Sequence, residues 1–316
     1  MRIPNEPNWP KMSRRYVGTG LEIRVIRAII NFMYYLGFDI GAYSIKAALV
    51  NEKKIIDSKI QETPNSLEKL IEVLEKNRKE LTEGKSFGEL AGIGVGVAGI
   101  LDRPREIVLK SPNIPCLDNQ PLKKILEEHF KPTKVKIEHD VHCFLAAEKA
   151  IGQAQNLHNI YYLTIGSGVG GAWTFEGKTS YGAHGSTGDV GHTIINNEKG
   201  LNLEDLASNK FIEKSLAFGS LGAEKKIAEG DEKTKKTMEE LGKNLGIGIA
   251  NIINMFDPEA VILSGGISWA ESILMPGIRY QMQKYVVSPA AKETNVFFSR
   301  LGRYGGALGA AMLFNE

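Results

Sequence analysis

The strongest constraint on the fold is a succession of strands and helices that occurs in two copies after Met33. The first copy has strands at YYLGFDIG, SIKAALVN and KIIDSKIQE, a helix around 66–82, a strand at LAGIGVGV, a helix around 121–130 and a strand at KVKIEHD. A helix at VHCFLAAEKAIGQA follows. The second copy has strands at IYYLTIG, GGAWTFEG and TIIN, helices around 203–218 and 233–256, a strand at AVILSG, a helix around 269–286 and a strand at NVFFS. The sequence therefore predicts an α/β protein with two βββαβα halves.

Two buried strands run into glycines at the G-x-G-x-x-G spacing, in LTIGSGVGG from Gly166 to Gly171 and in GIGVGVAG from Gly94 to Gly99. A dinucleotide site needs a helix after these glycines, because the pyrophosphate rests on its N-terminus. The residues after Gly171 alternate between apolar and polar side chains, as in a strand. The first motif therefore predicts a β-hairpin bend that a phosphate can approach, and it disfavours a nicotinamide enzyme.

The composition narrows the class of protein. The chain has 316 residues, of which 42% are hydrophobic and 24% charged, and its net charge is +2. The length favours two domains with a cleft between them. The nearly balanced charge argues against a nucleic-acid partner. Two cysteines, Cys116 and Cys143, are too few for a disulfide scaffold, which predicts a reducing, cytoplasmic environment.

Residues 1–32 differ from the remainder. They begin with Pro4, Pro7 and Pro10, and LEIRVIRAIINF then alternates Arg with apolar residues like a short amphipathic helix. The apolar run VIRAIINFMYYLGFDIG contains Arg27 and is too short to span a bilayer. We predict an extension outside the core and no membrane partner. A membrane-surface or targeting helix is the alternative.

Asp39 ends the first strand and is followed by a turn at Gly41 and by Ser44 and Lys46 on the returning strand. A carboxylate at this place can hold Mg²⁺ through water, while the N–H groups of the turn face a phosphate. A plain hairpin turn with Asp at a favoured position is the alternative. Together with the second glycine bend, the pattern favours a phosphate site.

Asp140 lies between the strand KVKIEH and a helix. This place suits a helix-capping residue. It also suits a general base that removes the proton of a sugar hydroxyl as it attacks a γ-phosphate, a role worth roughly 10²- to 10⁴-fold in rate. Both interpretations stay open on the residues alone.

Two further motifs suit the binding of a small ligand. The loop YGAHGSTGDVGH ends in Asp189 and His192, whose side chains can form paired hydrogen bonds with neighbouring hydroxyls of a polyol. Gly265 and Gly266 close the strand AVILSG, where a flat ring or a ribose could approach the backbone. Ordinary turns and a structural histidine are the alternatives.

Together these motifs resemble the ROK family, named for repressors, uncharacterised open reading frames and kinases, from Met33 to Asn315. DIGAYSIKAAL is similar to its first phosphate hairpin, LTIGSGVGGA to its second, GVGVAGILDRPREIVLKSPNIP to its sugar-cleft segment, GSTGDVGH to its G-x-x-G-E-x-G-H run, DPEAVILSGGIS to its adenosine motif and GALGAAML to its C-terminal helix. The resemblance implies two actin-like (ribonuclease H-like) domains that face a nucleotide and sugar cleft. It implies a first domain at 33–138, joined by a C-terminal helix at about 302–316, and a second at 139–301.

The resemblance also implies a role for each matching residue. Asp140 is the catalytic base. The residues that face the sugar are Gly99, Asn113, His139, Asp189, His192 and Glu204. The residues that face ATP are Asp39, which holds Mg²⁺ through water, Gly41, Ser44, Lys46, Thr164, Gly166, Ser167, Gly168, Gly265 and Gly266.

Four departures from the family pattern bear on activity. Tyr43 stands where the first hairpin usually has Thr, His139 replaces Asn, and Asp189 replaces Glu. After His192 the family commonly has a C-x-C-G-x-x-G-C cluster that binds zinc, whereas TIINNEKGLNLEDLAS contains no cysteine. A structural zinc needs four ligands, so we predict no zinc site.

The motifs and the resemblance together predict an ATP- and Mg²⁺-dependent hexose kinase, glucokinase-like and homodimeric. Glucose is the default sugar, and N-acetylhexosamines, mannose, fructose and modified sugars remain open, as do polyphosphate or ADP as donor. The alternative is a catalytically weakened sugar-binding or regulatory protein of the same family. A repressor of this family carries a winged helix-turn-helix before the kinase-like body, and 32 residues are too few for one.

Overall fold

A computed structural model describes residues 33–83 and 90–315, and the chain builds two five-stranded sheets within them. We call the half built on the first sheet the first lobe and the half built on the second sheet the second lobe. This arrangement confirms the predicted α/β fold with two actin-like halves. The predicted N-terminal extension, residues 1–32, lies outside the described residues.

The first sheet contains three antiparallel strands followed by two strands that extend it in parallel. The strands are β1 (Tyr34–Ile40), β2 (Ser44–Asn51), β3 (Lys54–Glu62), β4 (Leu90–Val97) and β7 (Val135–His139), in the order β3-β2-β1-β4-β7. The other elements of this lobe are the helices α1 (Leu67–Thr82) and α2 (Leu122–His129) and the small hairpin β5 (Ile100–Leu101) and β6 (Val108–Lys110). Leu36 and Phe38 of β1 belong to the same buried cluster as Leu70 and Leu74 of α1. The sheet is therefore covered by a helix whose apolar residues recur at helical spacing.

The second sheet has the order β10-β9-β8-β13-β14. Its strands are β8 (Ile160–Ile165), β9 (Val169–Phe175), β10 (Lys178–Thr179), β13 (Ala260–Gly265) and β14 (Asn295–Phe298). The remaining helices are α3 (Asp140–Ile151), α4 (Leu203–Ala207), α5 (Asn209–Leu216), α6 (Ser220–Ala228), α7 (Glu232–Phe256), α8 (Glu271–Tyr285) and α9 (Gly305–Met312). The small hairpin β11 (Ile194–Asn196) and β12 (Leu201–Asn202) lies apart from both large sheets.

The third strand of the second sheet is not the one expected from the sequence. The prediction that TIIN supplies it is wrong, because Ile194–Asn196 pairs with Leu201–Asn202 in a separate two-stranded sheet. Lys178–Thr179 takes the place instead and pairs with β9. Glu176 and Gly177 both have positive φ, 51° and 77°, which closes a tight hairpin and folds the chain straight back.

The C-terminal helix α9 packs between the first sheet and α3 at very short range. A Cβ atom on Gly37 of β1 would lie 1.8 Å from the Ala307 carbonyl oxygen. A Cβ atom on Gly94 of β4 would lie 1.8 Å from the Ala310 carbonyl oxygen. A Cβ atom on Gly309 would lie 1.6 Å from the Cys143 carbonyl oxygen of α3. Glycines therefore permit the close approach that buries α9.

No helix within residues 33–83 and 90–315 is long and apolar enough to cross a membrane. The alternative prediction of a membrane-surface helix falls on residues 1–32, outside that part of the chain.

Candidate active site

The first glycine turn holds Asp39 beside Lys46. The two residues face each other in the antiparallel pair of β1 and β2, with 3.1 Å between Lys46 Nζ and Asp39 Oδ2. Within the turn, the Gly41 N–H donates to the Ser44 carbonyl at 3.1 Å, and the Thr63 hydroxyl donates to the Gly41 carbonyl at 2.6 Å. Hydrogen bonds thus fix the turn in the shape that the sequence predicts.

Tyr43 projects from this turn with 83% of its surface exposed. The bulky ring therefore does not fill the space between the strands. Thr63, at the base of the turn, was missed by sequence reasoning because it lies beyond the hairpin motif, just after β3. Its hydroxyl stabilises the turn from the side of the neighbouring strand.

The electrostatic environment of Asp39 favours a cation. Burial is the main cause that raises the pKa of Asp39 to about 6, Lys46 opposes the shift, and the negative charge of Asp140 adds to it. Asp39 and Asp140 are therefore close enough to repel each other although they come from different strand ends. A divalent cation near both carboxylates would relieve this repulsion, so the residues fit Mg²⁺.

The second glycine turn links β8 to β9. The Gly166 N–H donates to the Gly168 carbonyl at 2.9 Å, and the Asn209 N–H donates to the Gly166 carbonyl at 2.9 Å. Ser167 is exposed at the tip. A Cβ atom placed on Gly166 would have no neighbour within 4 Å, so a ligand can reach the backbone there. Such a turn can receive a phosphate.

Glu204 lies against this second turn. Its Oε2 accepts the Val169 N–H at 3.0 Å, and its Oε1 accepts from Lys210 Nζ at 2.7 Å. A Cβ atom on Gly168 would lie 2.3 Å from Glu204 Oε2, so a larger residue there would displace the Glu204 carboxylate. Both oxygens of Glu204 are therefore engaged beside the turn, whereas its predicted role is to contact the sugar.

Gly265 and Gly266 follow β13, which pairs in parallel with β8. Gly265 has a φ of 101°, and a Cβ atom there would lie 2.0 Å from the Ile165 carbonyl oxygen. Sequence reasoning missed Ser220 and Trp269, which complete this corner. The Ser220 hydroxyl donates to the Gly266 carbonyl, and Trp269 Nε1 donates to the Ser220 hydroxyl at 2.9 Å.

Thr164 lies opposite Ser264 in the pairing of β8 with β13 and is partly exposed. It therefore belongs to the same strand ends as Gly166 and Gly265. These strand ends meet at one edge of the second sheet because β8 and β13 are parallel.

Asp140 is the first residue of α3 and directly follows β7. Its Oδ1 accepts the Val141 N–H at 2.8 Å, and 23% of its side chain is exposed. His139 is the N-cap residue, and its Nδ1 accepts the same N–H at 3.3 Å. The carboxylate therefore lies at the positive N-terminal end of α3, in the first turn of the helix.

The imidazole of His139 is neutral in this setting. Burial is the main cause that lowers its pKa, while the negative charge of Asp140 acts in the opposite direction. Its Nδ1 lies 3.3 Å from the Val141 nitrogen and 3.1 Å from Asp140 Oδ1. The neutral ring has one donor nitrogen and one acceptor nitrogen, and Nε2 is the one left for a ligand.

A cavity of about 140 Å³ lies between the lobes beside His139. Of the predicted sugar residues, His139 and Asp189 line it. Arg105 and His142 also line it and were missed by sequence reasoning. Arg105 lies within the quoted sugar-cleft segment, and His142 follows His139 by three residues, which places both imidazoles on one side of α3. The other lining residues are Ile100, Leu101, Gly170, Gly171, Gly185, Ser186 and Thr187.

The loop that carries Asp189 is pressed onto β9. A Cβ atom on Gly171 would lie 2.3 Å from the Gly188 carbonyl oxygen, and Gly188 itself has a φ of 96°. The Tyr161 hydroxyl donates to the same carbonyl at 2.9 Å, and Trp173 Nε1 donates to the Thr187 hydroxyl at 3.3 Å. Two glycines and two hydrogen bonds thus fix one wall of the cavity.

Four predicted sugar residues do not line this cavity: Gly99, Asn113, His192 and Glu204. Asn113 is exposed in the loop after β6. Gly99 shapes the chain, because a Cβ atom there would lie 2.7 Å from the Lys110 carbonyl oxygen. The side chain of His192 is 64% exposed, and its Nε2 lies 3.8 Å from Asp189 Oδ2.

Across the described ranges, no group of three or more His, Cys, Asp or Glu side chains is placed to hold a metal ion. The segment after His192 forms the β11–β12 hairpin instead. Asn202 then caps α4 by accepting the Asp205 N–H at 2.8 Å, and the Asp205 carboxylate accepts the Asn202 N–H at 3.1 Å. This reciprocal pair orders the segment in which the family commonly has its cysteine cluster.

The two lobes, the paired glycine turns and the Asp140 carboxylate beside His139 define an actin-like protein with a ligand cleft. The ROK family model matches residues 35–316, and the chain belongs to the ROK family.

Its relatives include a glucokinase from Thermotoga maritima, which is 29% identical over 89% of this chain and 97% of its own length. An N-acetyl-D-glucosamine kinase from Vibrio parahaemolyticus is 29% identical over 89% of this chain and 99% of its own length. Among solved structures, a ROK hexokinase from Thermus thermophilus superposes with a TM-score of 0.73 at 27% identity, covering 89% of this chain and 98% of the other.

Proposed function

We propose that this chain is an ATP- and Mg²⁺-dependent hexose kinase, glucokinase-like, that transfers the γ-phosphate of ATP to a sugar hydroxyl. The observation that carries the proposal is the placement of Asp140: it directly follows His139, which lines the cavity, and its negative charge acts on Asp39 of the first glycine turn. The glucokinase and the N-acetyl-D-glucosamine kinase among its relatives support a sugar as acceptor.

In the proposed reaction, Asp140 removes the proton of the attacking hydroxyl. One carboxylate oxygen is engaged with the Val141 N–H, which orients the group and leaves the other oxygen for the sugar. The N–H groups of the two glycine turns receive the phosphates, and Gly265 and Gly266 receive the adenosine. Mg²⁺, held by Asp39 through water, supplies neutralisation of the phosphate charge when it is bound with ATP.

The residues in the cavity decide which sugar is bound. His139 offers Nε2, Asp189 offers acceptors, and one wall is fixed by glycines. A site that pairs with particular hydroxyls rejects sugars that lack them, because its buried polar groups would then be left unpaired. Glucose is the expected substrate. N-acetylhexosamines, mannose and fructose are the competing ones.

The test is a coupled assay of ADP release with a panel of hexoses and N-acetylhexosamines. The donor panel contains ATP, ADP and polyphosphate, with product formation followed by chromatography for the last two. We expect turnover of at least one hexose with ATP and Mg²⁺. Calorimetric binding of a sugar without turnover of any sugar would favour the catalytically weakened sugar-binding protein. If the chain neither binds nor phosphorylates any sugar of the panel, a sugar is rejected as the ligand.

The remaining expectations belong to the same proposal. We propose a cytoplasmic homodimer, a first domain at 33–138 joined by the C-terminal helix, and a second domain at 139–301. Light scattering coupled to size exclusion measures the mass of the assembly. A monomer at working concentration would reject the dimer while leaving the proposed reaction untouched.

A further inference from the structure

Arg105 connects the first lobe to the loop of residues 180–189, which we call the sugar loop. Arg105 lies in the turn between β5 and β6, and its Nη1 and Nη2 atoms each lie 3.4 Å from the Gly185 carbonyl oxygen. Its guanidinium carbon lies 4.5 Å from the centroid of the Tyr181 ring. A single side chain of the first lobe therefore contacts the sugar loop near its start and in its middle.

The guanidinium is anchored by a buried carboxylate at the end of β7. Arg105 Nε lies 3.0 Å from Glu138 Oε1, and the two side chains are 13% and 6% exposed. The same oxygen accepts the His139 N–H at 2.8 Å and lies 3.0 Å from His142 Nδ1. Burial acts to raise the pKa of Glu138, but the hydrogen bond with His142 and the charges of His142 and Arg105 hold it below its ordinary value. One ionised carboxylate thus joins Arg105 to the backbone of His139 and to the imidazole of His142.

The backbone gives no reason for an arginine at this position. Arg105 has a φ of 60°, in the left-handed region that glycine adopts with less strain. The turn is closed mainly by the Asp102 carboxylate, which accepts the Glu106 N–H at 2.7 Å and the Ile107 N–H at 2.8 Å. The Arg105 side chain adds one longer bond, from Nη1 to the Asp102 carbonyl oxygen at 3.2 Å. The contacts that require an arginine are those to Glu138 and to the sugar loop.

We propose that Arg105 is a positioning residue that fastens the sugar loop to the first lobe and so sets the shape of the sugar cavity before the sugar binds. This inference rests on the proposed sugar-kinase function. Arg105 contacts neither glycine turn in the hydrogen bonds and ion pairs of the described residues, so its effect falls on the sugar and not on ATP.

Three variants test the proposal. Arg105→Gly removes the side chain and suits the left-handed backbone, so the turn itself is not destabilised. Arg105→Lys keeps the charge but loses the planar fork that reaches Glu138 and Gly185 together. Arg103→Gly is the matched control, because it removes an exposed arginine from the same turn.

The first measurement is hydrogen–deuterium exchange of the sugar loop in the full chain without ligand. We expect exchange about tenfold faster in Arg105→Gly, an intermediate rate in Arg105→Lys and no change in Arg103→Gly, since loss of one charged hydrogen bond corresponds to about that factor. The second measurement is the KM for the best sugar of the panel, which should rise about tenfold in Arg105→Gly while the KM for ATP stays within about twofold.

Unchanged exchange in Arg105→Gly overturns the proposal, and so does faster exchange without a change in sugar KM. An equal rise of both KM values also overturns it, because a general loss of structure would have that effect. If the wild-type chain phosphorylates no sugar, the proposed function fails, and the exchange of the sugar loop still decides whether Arg105 fastens it.

Discussion

Replacing Asp140 with Asn tests the proposed chemistry with little change in shape. The amide oxygen of Asn can still accept the Val141 N–H, which Asp140 Oδ1 accepts at 2.8 Å, but the amide cannot take up a proton. Loss of a general base costs roughly 10²- to 10⁴-fold in kcat, or about 3–5 kcal/mol of transition-state free energy. We expect a decrease of that size in the coupled assay at saturating sugar and ATP.

The expected change in stability is much smaller, and the structure gives its two contributions. Loss of a negative charge from the first turn of α3 costs about 0.3–1 kcal/mol, because the helix N-terminus is positive. Relief of the repulsion between Asp140 and Asp39 acts in the opposite direction. The free energy of unfolding, measured by urea denaturation, should therefore change by less than about 1 kcal/mol.

Glu232→Gln supplies the matched control for this variant. Glu232 lies in the first turn of α7, so its replacement removes the same kind of helix-terminal charge away from the cleft. We expect full turnover from this control. A kcat for Asp140→Asn within about tenfold of the wild type would refute the assignment of the base, because the loss of a general base lowers kcat by roughly 10²-fold or more. A severe loss of stability would instead assign Asp140 a structural role at the start of α3.

Three further outcomes follow from the structure. Burial raises the pKa of Glu148 above its ordinary value, so the folded state binds this proton more tightly and the free energy of unfolding falls as the pH rises from the unfolded to the folded pKa. In urea titrations between pH 4 and 8, Glu148→Gln should lack this fall. A difference between variant and wild type that stays constant with pH would contradict the prediction. Gly309→Ala should destabilise the protein by about 1–3 kcal/mol or more, because the added atom would lie 1.6 Å from the Cys143 carbonyl oxygen, and an unchanged melting temperature would contradict the packing of α9. Metal analysis of the purified protein should find no stoichiometric zinc at His192, and one zinc per chain would refute that prediction.

Local sequence patterns were sufficient to place the two glycine turns. Asp39 and Lys46 are seven residues apart in one hairpin, so strand pairing brings them together. In the second turn the Gly166 N–H likewise donates to the nearby Gly168 carbonyl, although Asn209 and Glu204 also hold this turn from distant parts of the chain. Asp140 could be placed at the boundary of a strand and a helix because both elements have clear hydrophobic patterns.

The cavity between the lobes was predicted less completely, because the residues that contact each other there are distant in sequence. Arg105 and Gly185 are 80 residues apart, and nothing in the turn DRPRE indicates that its second arginine reaches another lobe. Glu204 was expected at the sugar on the basis of a family resemblance, yet its carboxylate accepts the Val169 N–H of the second glycine turn. The strand at TIIN was assigned to the large sheet because periodicity identifies a strand but not its partner.

By itself, the sequence determined the main strands and helices, the two glycine turns and the family, because all three depend on residues close together in the chain. The tertiary structure alone decided which side chains line the cavity between the lobes: His139 and Asp189 meet there with Arg105 and His142, while Asn113 and His192 remain outside. The physical reason is that packing and buried charge act across chain separations that local patterns do not encode.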